Sequence, residues 1–356
     1  MNNDTSAPKS RQRRALTAAA LVAGFALFLG ATLLAVFVRA AEYPSELIPE
    51  GGGTFTVNAG ETGASIADRL AREGFIRSSL VFEVLQRVRN QQASLKRGTY
   101  RIAPGMGTAD ILDLIVSGRQ DLIRVTIPEG FTLRQTAEAL AVTGAVDRES
   151  FMRAARDPAL MADLGIPAES AEGYLFPDTY HLPAGTPGHE AVRIMVYAFR
   201  ARLSAGLPES RDLDPETLHR KIILASIVER EYRVAEEAPR IAGVFSNRLR
   251  IGMALQSCAT VVYVITEVLG REHPEILFYR DIEIRHRFNT YVYPGLPPGP
   301  IANPGITAIT AAFRPEPTRY LYFRLLDRNT GRHYFSTTLD QHIRAGSLAI
   351  KAVGGR

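Results

Sequence analysis

The segment DPETLHRKIILASIVEREYR, Asp214 to Arg233, carries the clearest structural instruction in the chain. Asp214 can cap a helix, Pro215 suits its first position, and Glu216 complements the positive end of the helix dipole. The pattern predicts a helix running to about Glu236. On it Ile222, Ala225, Ser226 and Glu229 share one stripe at spacings i, i+3, i+4 and i+7. Glu229 is thus a carboxyl at the end of an otherwise apolar or small-residue face. Burial of that face disfavours the ionised form and raises the pKa. A general acid for a glycosidic bond needs that property at neutral pH. Ser226, one turn earlier, is within hydrogen-bonding reach of the carboxyl. The competing reading places Glu229 on a solvated flank, paired with Arg233 at i+4, and spacing alone leaves both open. Glu231 cannot share a helical face with Glu229, because residues two apart point in different directions.

Working outward, the pattern is one of helices with short strands between them. Thr54–Val57 and Thr99–Ile102 read as strands, with helices over Ala64–Glu73, Ser78–Val88 and Thr108–Val116. That order, with Gly and Asn at the turns, predicts a small α+β module. Asp121–Ile127 reads as a strand, followed by a helix over Thr132–Ala141 and more helical segments to about Leu203. Further helices are expected over Arg240–Arg250, over Ser257–Leu269 and after Asn303-Pro304. Tyr320–Leu325 and His333–Ser336 alternate like a hairpin across Asn329 to Gly331. Strands are local and helices dominate, so the fold class is α+β rather than a doubly wound sheet.

Two other stretches are candidates for chemistry. EGYLFPDTY, Glu172 to Tyr180, combines carboxyls and aromatics in a turn-rich run, suited either to sugar binding or to a packed loop with Phe176 and Tyr180 in the core. NTYVYPGLPPGPIANP, Asn289 to Pro304, is too rich in Pro for helix or central strand. A long rigid irregular segment usually shapes a site, though it could also be a plain crossover. There is no HExxH, no glycine-rich phosphate loop and no GxSxG elbow. One cysteine, Cys258, excludes an intramolecular disulfide framework and a Cys-rich zinc site. It reads as a buried small hydrophobe. No metal or cofactor is called for.

The 356 residues carry 42 Lys+Arg against 37 Asp+Glu, a net charge of +5, which invites a nucleic-acid reading. The charge sits elsewhere. Lys9, Arg11, Arg13 and Arg14 against Asp4 place most of the excess in a tail over residues 1–14, and no long run of like charge follows. No nucleic-acid partner is expected. Ala15 to Val38 has no charged residue and only Thr17 and Thr32 as polar ones. At ~1.5 Å per residue it is long enough for a ~30 Å hydrocarbon core. A transmembrane helix is expected over 15–39, with membrane contact through 15–38 and the basic tail in the cytoplasm. A cleaved signal peptide is the competing reading, with Arg39-Ala40-Ala41 as its end. Residues 40–53, rich in Pro and Gly, read as a linker.

LASIVERE (Leu224–Glu231), VFSNRLRIGMALQS (Val244–Ser257), TVVY (Thr260–Tyr263), NTYVYPGLPPGPIANPG (Asn289–Gly305), YLYF (Tyr320–Phe323) and EGYLFPDTY together resemble the endolytic murein transglycosylases, the MltG/YceG-like family. The resemblance implies a single transmembrane helix, a LysM-like α+β module over 54–120, a mainly helical catalytic domain over 121–347 and a short tail over 348–356. It implies a lyase that cleaves the β-1,4 bond from N-acetylmuramic acid to N-acetylglucosamine in nascent peptidoglycan, leaving 1,6-anhydro ends and terminating strand elongation. The family's catalytic glutamate falls on Glu229. Glu172, Gln256, Asn289 and Tyr291 are candidates for holding the sugars. Partners implied are peptidoglycan glycan strands and the glycan-polymerising synthases (penicillin-binding proteins). The implied location is the bacterial inner membrane, single-pass, with the catalytic domain extracytoplasmic. The family commonly has Asp-Pro after LQS, where this chain has Cys258-Ala259. The rival class is a murein-binding scaffold without catalysis.

Overall fold

A computed structural model describes residues 52–354 except 59, 120, 121 and 328, together with scattered positions between 24 and 48, and side chains up to residue 346. The tail over 1–14, more than half of the expected membrane span over 15–39 and most of the linker over 40–53 fall outside the described residues. Among the described residues no helix is long and apolar enough to cross a membrane. The chain divides into two compact units, Met1–Asp121 and Leu122–Arg356.

In the first unit, β1 (Gly53–Val57) pairs antiparallel with β2 (Gly98–Ile102), Phe55 opposite Tyr100. Helices α1 (Gly63–Arg72), α2 (Ser79–Val88) and α3 (Thr108–Ser117) pack around this pair. Thr62 starts α1 by accepting the Ser65 N–H at 3.2 Å. The buried set alternates along each strand and recurs at helical spacing: Phe55 and Val57, Ile66 and Leu70, Phe82, Ile111 and Ile115. Tyr100 is wholly buried, and its hydroxyl donates to the Lys96 carbonyl at 2.7 Å.

The second unit opens with β3 (Leu122–Thr126), which pairs antiparallel with β4 (Thr179–Pro183). Between them lie α4 (Leu133–Val142), α5 (Arg148–Ala154) and α6 (Pro158–Asp163). After β4 come α7 (Gly188–Gly206), α8 (Pro215–Glu229), α9 (Ala238–Arg250), α10 (Cys258–Tyr263) and α11 (Tyr279–Ile282). Then follow α12 (Ile306–Phe313), the antiparallel hairpin β5 (Tyr322–Leu325) and β6 (His333–Ser336), and α13 (Leu339–Gly354). All sheets among the described residues are two-stranded, so the packing of helices supplies the core.

The centre of that core is α8. Asp214 caps it as expected, its carboxylate accepting the Thr217 N–H at 2.9 Å. The stripe reading gave the helix one buried face. In fact every residue from Ile222 to Val228 is buried, because α9, α12 and the segment 300–305 enclose it. A helix enclosed on every side must be apolar on every side. It ends at Glu229, not near Glu236. The chain turns there because Glu229, Arg230 and Glu231 each take a partner in a different direction. Glu229 accepts the Gly305 N–H, Arg230 donates to the Gly130 carbonyl, and Glu231 accepts from Ser257.

The Pro-rich run is a rigid brace lying against α8. Ile301 donates its N–H to Ser226 Oγ at 3.0 Å, and Ile301 to Gly305 are all buried. Asn303 ties this brace to two other loops. Its Oδ1 accepts the N–H groups of Gly173 and Leu175, and its Nδ2 donates to the Phe131 carbonyl. Gly173 has φ +85, and an added Cβ would lie 2.5 Å from the Pro300 ring. Gly173→Ala therefore meets both a left-handed backbone penalty and an overlap, and should lower stability by roughly 2–4 kcal/mol in thermal unfolding. An unchanged melting temperature would contradict this packing.

Candidate active site

Glu229 closes α8 with its backbone in a buried helix and its side chain only partly covered. Oε2 accepts the Gly305 N–H at 2.9 Å, the first amide of the α12 entry. The Tyr232 hydroxyl stands at 3.4 and 3.5 Å from the two carboxylate oxygens. Burial pushes the Glu229 pKa up to about 7, and the negative charge of Glu129 pushes the same way. The Gly305 amide, Tyr232 and Arg230 pull it down, but less than burial raises it. A carboxyl in this setting is partly protonated at neutral pH, with an N–H in place to receive the charge when the proton leaves.

Glu129 escaped the sequence reading. It is exposed, on the Pro128–Gly130 turn whose Gly130 is buried, and its carboxylate lies over the Cα of Gly305, where any Cβ would overlap it. The turn is held in place because Gly130 donates to the Asn303 carbonyl at 2.9 Å and accepts from Arg230 at 3.2 Å. Only the Gly at the end of the turn hinted at this, and nothing in the sequence placed it beside residue 229. Tyr232 was likewise missed, although its i+3 spacing from Glu229 was a signal that could have placed it there.

Two expected neighbours of Glu229 are absent from its surroundings. Ser226 faces the brace: its hydroxyl donates to the Ile223 carbonyl and accepts from Ile301, so it does not reach the carboxyl. Arg233 is exposed and packs by Gly331, since the helix that would have placed it at i+4 has already ended.

Of the sugar-holding candidates, the structure brings Gln256 and Tyr291 to one cavity of about 650 Å³ beside Glu231 and Cys258. Gln256 is exposed, with φ +49, and its N–H donates to the Thr290 carbonyl. Such a backbone is rare for a non-Gly residue and marks a constrained loop. Glu172 and Asn289 do not join them. Glu172 is 4% exposed, and both its oxygens accept the Leu133 N–H at the start of α4, at 2.9 and 3.0 Å. Asn289 is wholly buried; its Nδ2 donates to the Ile282 and Ile284 carbonyls and its Oδ1 accepts from Tyr291. Both are internal braces, because their polar atoms are needed by backbone groups that the folds of the loops leave unpaired. EGYLFPDTY is accordingly a packed loop with Phe176 and Tyr180 buried.

Cys258 also departs from expectation. It is exposed at the cavity wall, with Sγ 3.1 Å from the Tyr291 hydroxyl. The surrounding atoms still enclose the thiol enough to raise its pKa, so it is a neutral hydrogen-bonding group. Ser257 Oγ donates to Glu231 at 2.5 Å, and burial raises Glu231 to about 6. Among the described residues no group of three or more His, Cys, Asp or Glu side chains gathers to hold a metal ion.

A model described as the YceG-like family matches residues 55–347, through both units. The chain belongs to the YceG-like family. Its family relatives include the endolytic murein transglycosylase of Bacillus subtilis (strain 168), 28% identical over 317 residues that cover 83% of this chain and 84% of that protein. The endolytic murein transglycosylase of Streptococcus pneumoniae serotype 2 is 29% identical over 345 residues, covering 88% of this chain and 59% of that longer protein. The YceG-like fold is also seen in the crystal structure of a YceG-like protein from Listeria monocytogenes. That structure is 30% identical with a TM-score of 0.55, covering 83% of this chain and 99% of its own.

Glu172 offers a test of the buried brace. Burial raises its pKa to about 8 from 4.5. A raised folded pKa means the native state binds the proton more tightly than the unfolded one. The resulting stability is full below about pH 4.5 and is lost as pH rises towards 8. Glu172→Gln keeps one acceptor for Leu133 and cannot ionise. Its unfolding free energy should fall less between pH 5 and 8 than that of the wild type, read from chemical denaturation at each pH. Parallel curves would contradict the assignment.

Proposed function

We propose that this chain is a membrane-anchored endolytic murein transglycosylase whose general acid is Glu229. The observation that carries the reading is a single carboxyl with a pKa near 7, at the end of a buried helix, with an N–H on Oε2. Many glycosidases work with a pair of carboxylates, one acid and one nucleophile or base. A lytic transglycosylase can manage with one, because the substrate supplies the nucleophile. Protonated Glu229 donates to the glycosidic oxygen as the bond from muramic acid C1 breaks. The C6 hydroxyl of the same sugar attacks C1, and the Glu229 carboxylate takes the proton that hydroxyl loses. One bond to C1 is exchanged for another, no water is consumed, and the acid is restored. Intramolecular attack supplies the proximity that a bound water would otherwise need. In the carboxylate stage, the Gly305 amide and the Tyr232 hydroxyl stabilise the charge.

The sequence supports the rest of this reading. The basic tail and the apolar run Ala15 to Val38 favour a single-pass anchor in the bacterial inner membrane, with the tail in the cytoplasm and both folded units outside. That side of the membrane holds the nascent strands and the glycan-polymerising synthases, the expected partners in ending strand elongation. The strand–helix–helix–strand–helix order of the first unit is compatible with a LysM-like glycan module.

Glu229→Gln retains an acceptor for the Gly305 N–H but has no proton to give. It should fold normally and release anhydro-muropeptides from purified sacculi at least about a hundredfold more slowly, measured by mass spectrometry. Unchanged release would remove Glu229 from the role, and reducing ends in place of anhydro ends would make the enzyme a hydrolase. The proton must be present for cleavage, so kcat/KM should fall as pH rises through about 7. Glu129→Gln removes a charge that favours the protonated form and should move this limb to lower pH. A limb that stays in place would show that Glu129 does not act on Glu229.

A further inference from the structure

The cavity that holds Gln256, Cys258 and Tyr291 begins at Arg230 and Glu231, the two residues that follow Glu229. Its charge is unlike that of a groove made for neutral sugars. Arg230, Arg233, Arg248 and Arg324 line it against one acid, Glu231. Two of these guanidiniums are committed to the protein. Arg248 donates to the Leu255 and Leu321 carbonyls, and Arg230 donates to the Gly130 carbonyl. Arg324 is held less firmly: its Nη1 reaches the His342 carbonyl only at 3.4 Å, and its Nε is buried without a hydrogen-bond partner, as is Nδ1 of His342 beside it. Buried polar atoms are rarely left so unless something else meets them. The cavity also has an apolar side, formed by Leu255, Leu325 and Leu339.

We propose that this cavity receives the peptide stem of the muramic acid at the scissile bond, with Arg324 and Arg233 taking the stem's carboxylates. The inference rests on the reading of Glu229 as the general acid. In murein the sugar cleaved at C1 bears, through its C3 ether, a short peptide with several carboxylates and small apolar side chains. Guanidiniums match carboxylates, the leucines match the apolar side chains, and Glu231 offers a partner to an amine on the stem. A diphosphate, as at a lipid-linked strand end, is the other anion a nascent strand provides. It fits less well, since Glu231 would repel it and three of the four guanidiniums already serve carbonyls, which leaves too few free donors for two phosphates.

The test uses the full-length Glu229→Gln chain, which holds substrate without turnover, and two murein oligosaccharides of equal length. One keeps its peptide stems and the other has lost them to an amidase. The stem-bearing oligosaccharide should bind about tenfold tighter. Adding Arg324→Gln should reduce that ratio to about threefold or less, Arg233→Gln should reduce it also, and Arg324→Lys should keep part of it. Inorganic pyrophosphate at millimolar concentration should not displace the stem-bearing ligand. Equal affinity for the two oligosaccharides would overturn the proposal. So would a ratio indifferent to both Arg324→Gln and Arg233→Gln, or full displacement by pyrophosphate. Binding is read here without cleavage, so failure of Glu229 as the acid would appear in the product assay and leave this ratio standing.

Discussion

The hydrogen bond from the Gly305 amide to Glu229 Oε2, 2.9 Å long, joins the end of the buried helix α8 to the start of α12. It forms only because both ends are fixed beforehand. α8 is held by apolar burial on every side from Ile222 to Val228. The brace is held by Ile301 on Ser226 and by the four hydrogen bonds that bring Asn303 to Gly173, Leu175, Phe131 and Gly130. With both partners immobile, the carboxyl stays in a partly dry setting and its pKa stays high. A looser brace would let water in and return Glu229 to the ordinary range of a carboxylate.

The same arrangement explains the residues around it. Any side chain at Gly305 would displace the Glu129 carboxylate, which lies over its Cα. Prolines make the 294–304 run stiff without strand partners, so its position does not depend on a sheet. Glu172 and Asn289 spend their polar atoms on backbone groups of neighbouring segments, which keeps those loops in place. The chemistry is thus supported by buried polar braces rather than by a large sheet.

Much of this was legible in the sequence, and the losses have identifiable causes. Local signals such as Asp214-Pro215-Glu216, Thr132 before its helix, and the β5–β6 hairpin report caps and alternation, and the elements lie where those signals put them. The end of α8 was misplaced because helical propensity continues through Arg230 to Arg233, while tertiary partners for three successive side chains stop the helix. Ser226 was assigned to the wrong partner for a related reason: its spacing to Glu229 is local, but the Ile301 amide that occupies it arrives from 75 residues away. Glu172 and Asn289 read as candidates for holding the sugars, and spacing cannot distinguish a polar group that meets substrate from one that serves buried backbone groups. Glu129 gave no local signal, since its significance lies wholly in the contact with Gly305.

General-acid cleavage depends on Glu229 carrying a proton near neutrality. The most direct measurement is an infrared titration of the carboxyl stretch, taken as the difference between the wild-type chain and Glu229→Gln. The protonated band should persist through pH 6 and disappear with a midpoint near 7. A midpoint near the ordinary value of 4.5 would mean the buried setting does not hold the proton, and the proposed acid would be lost with it.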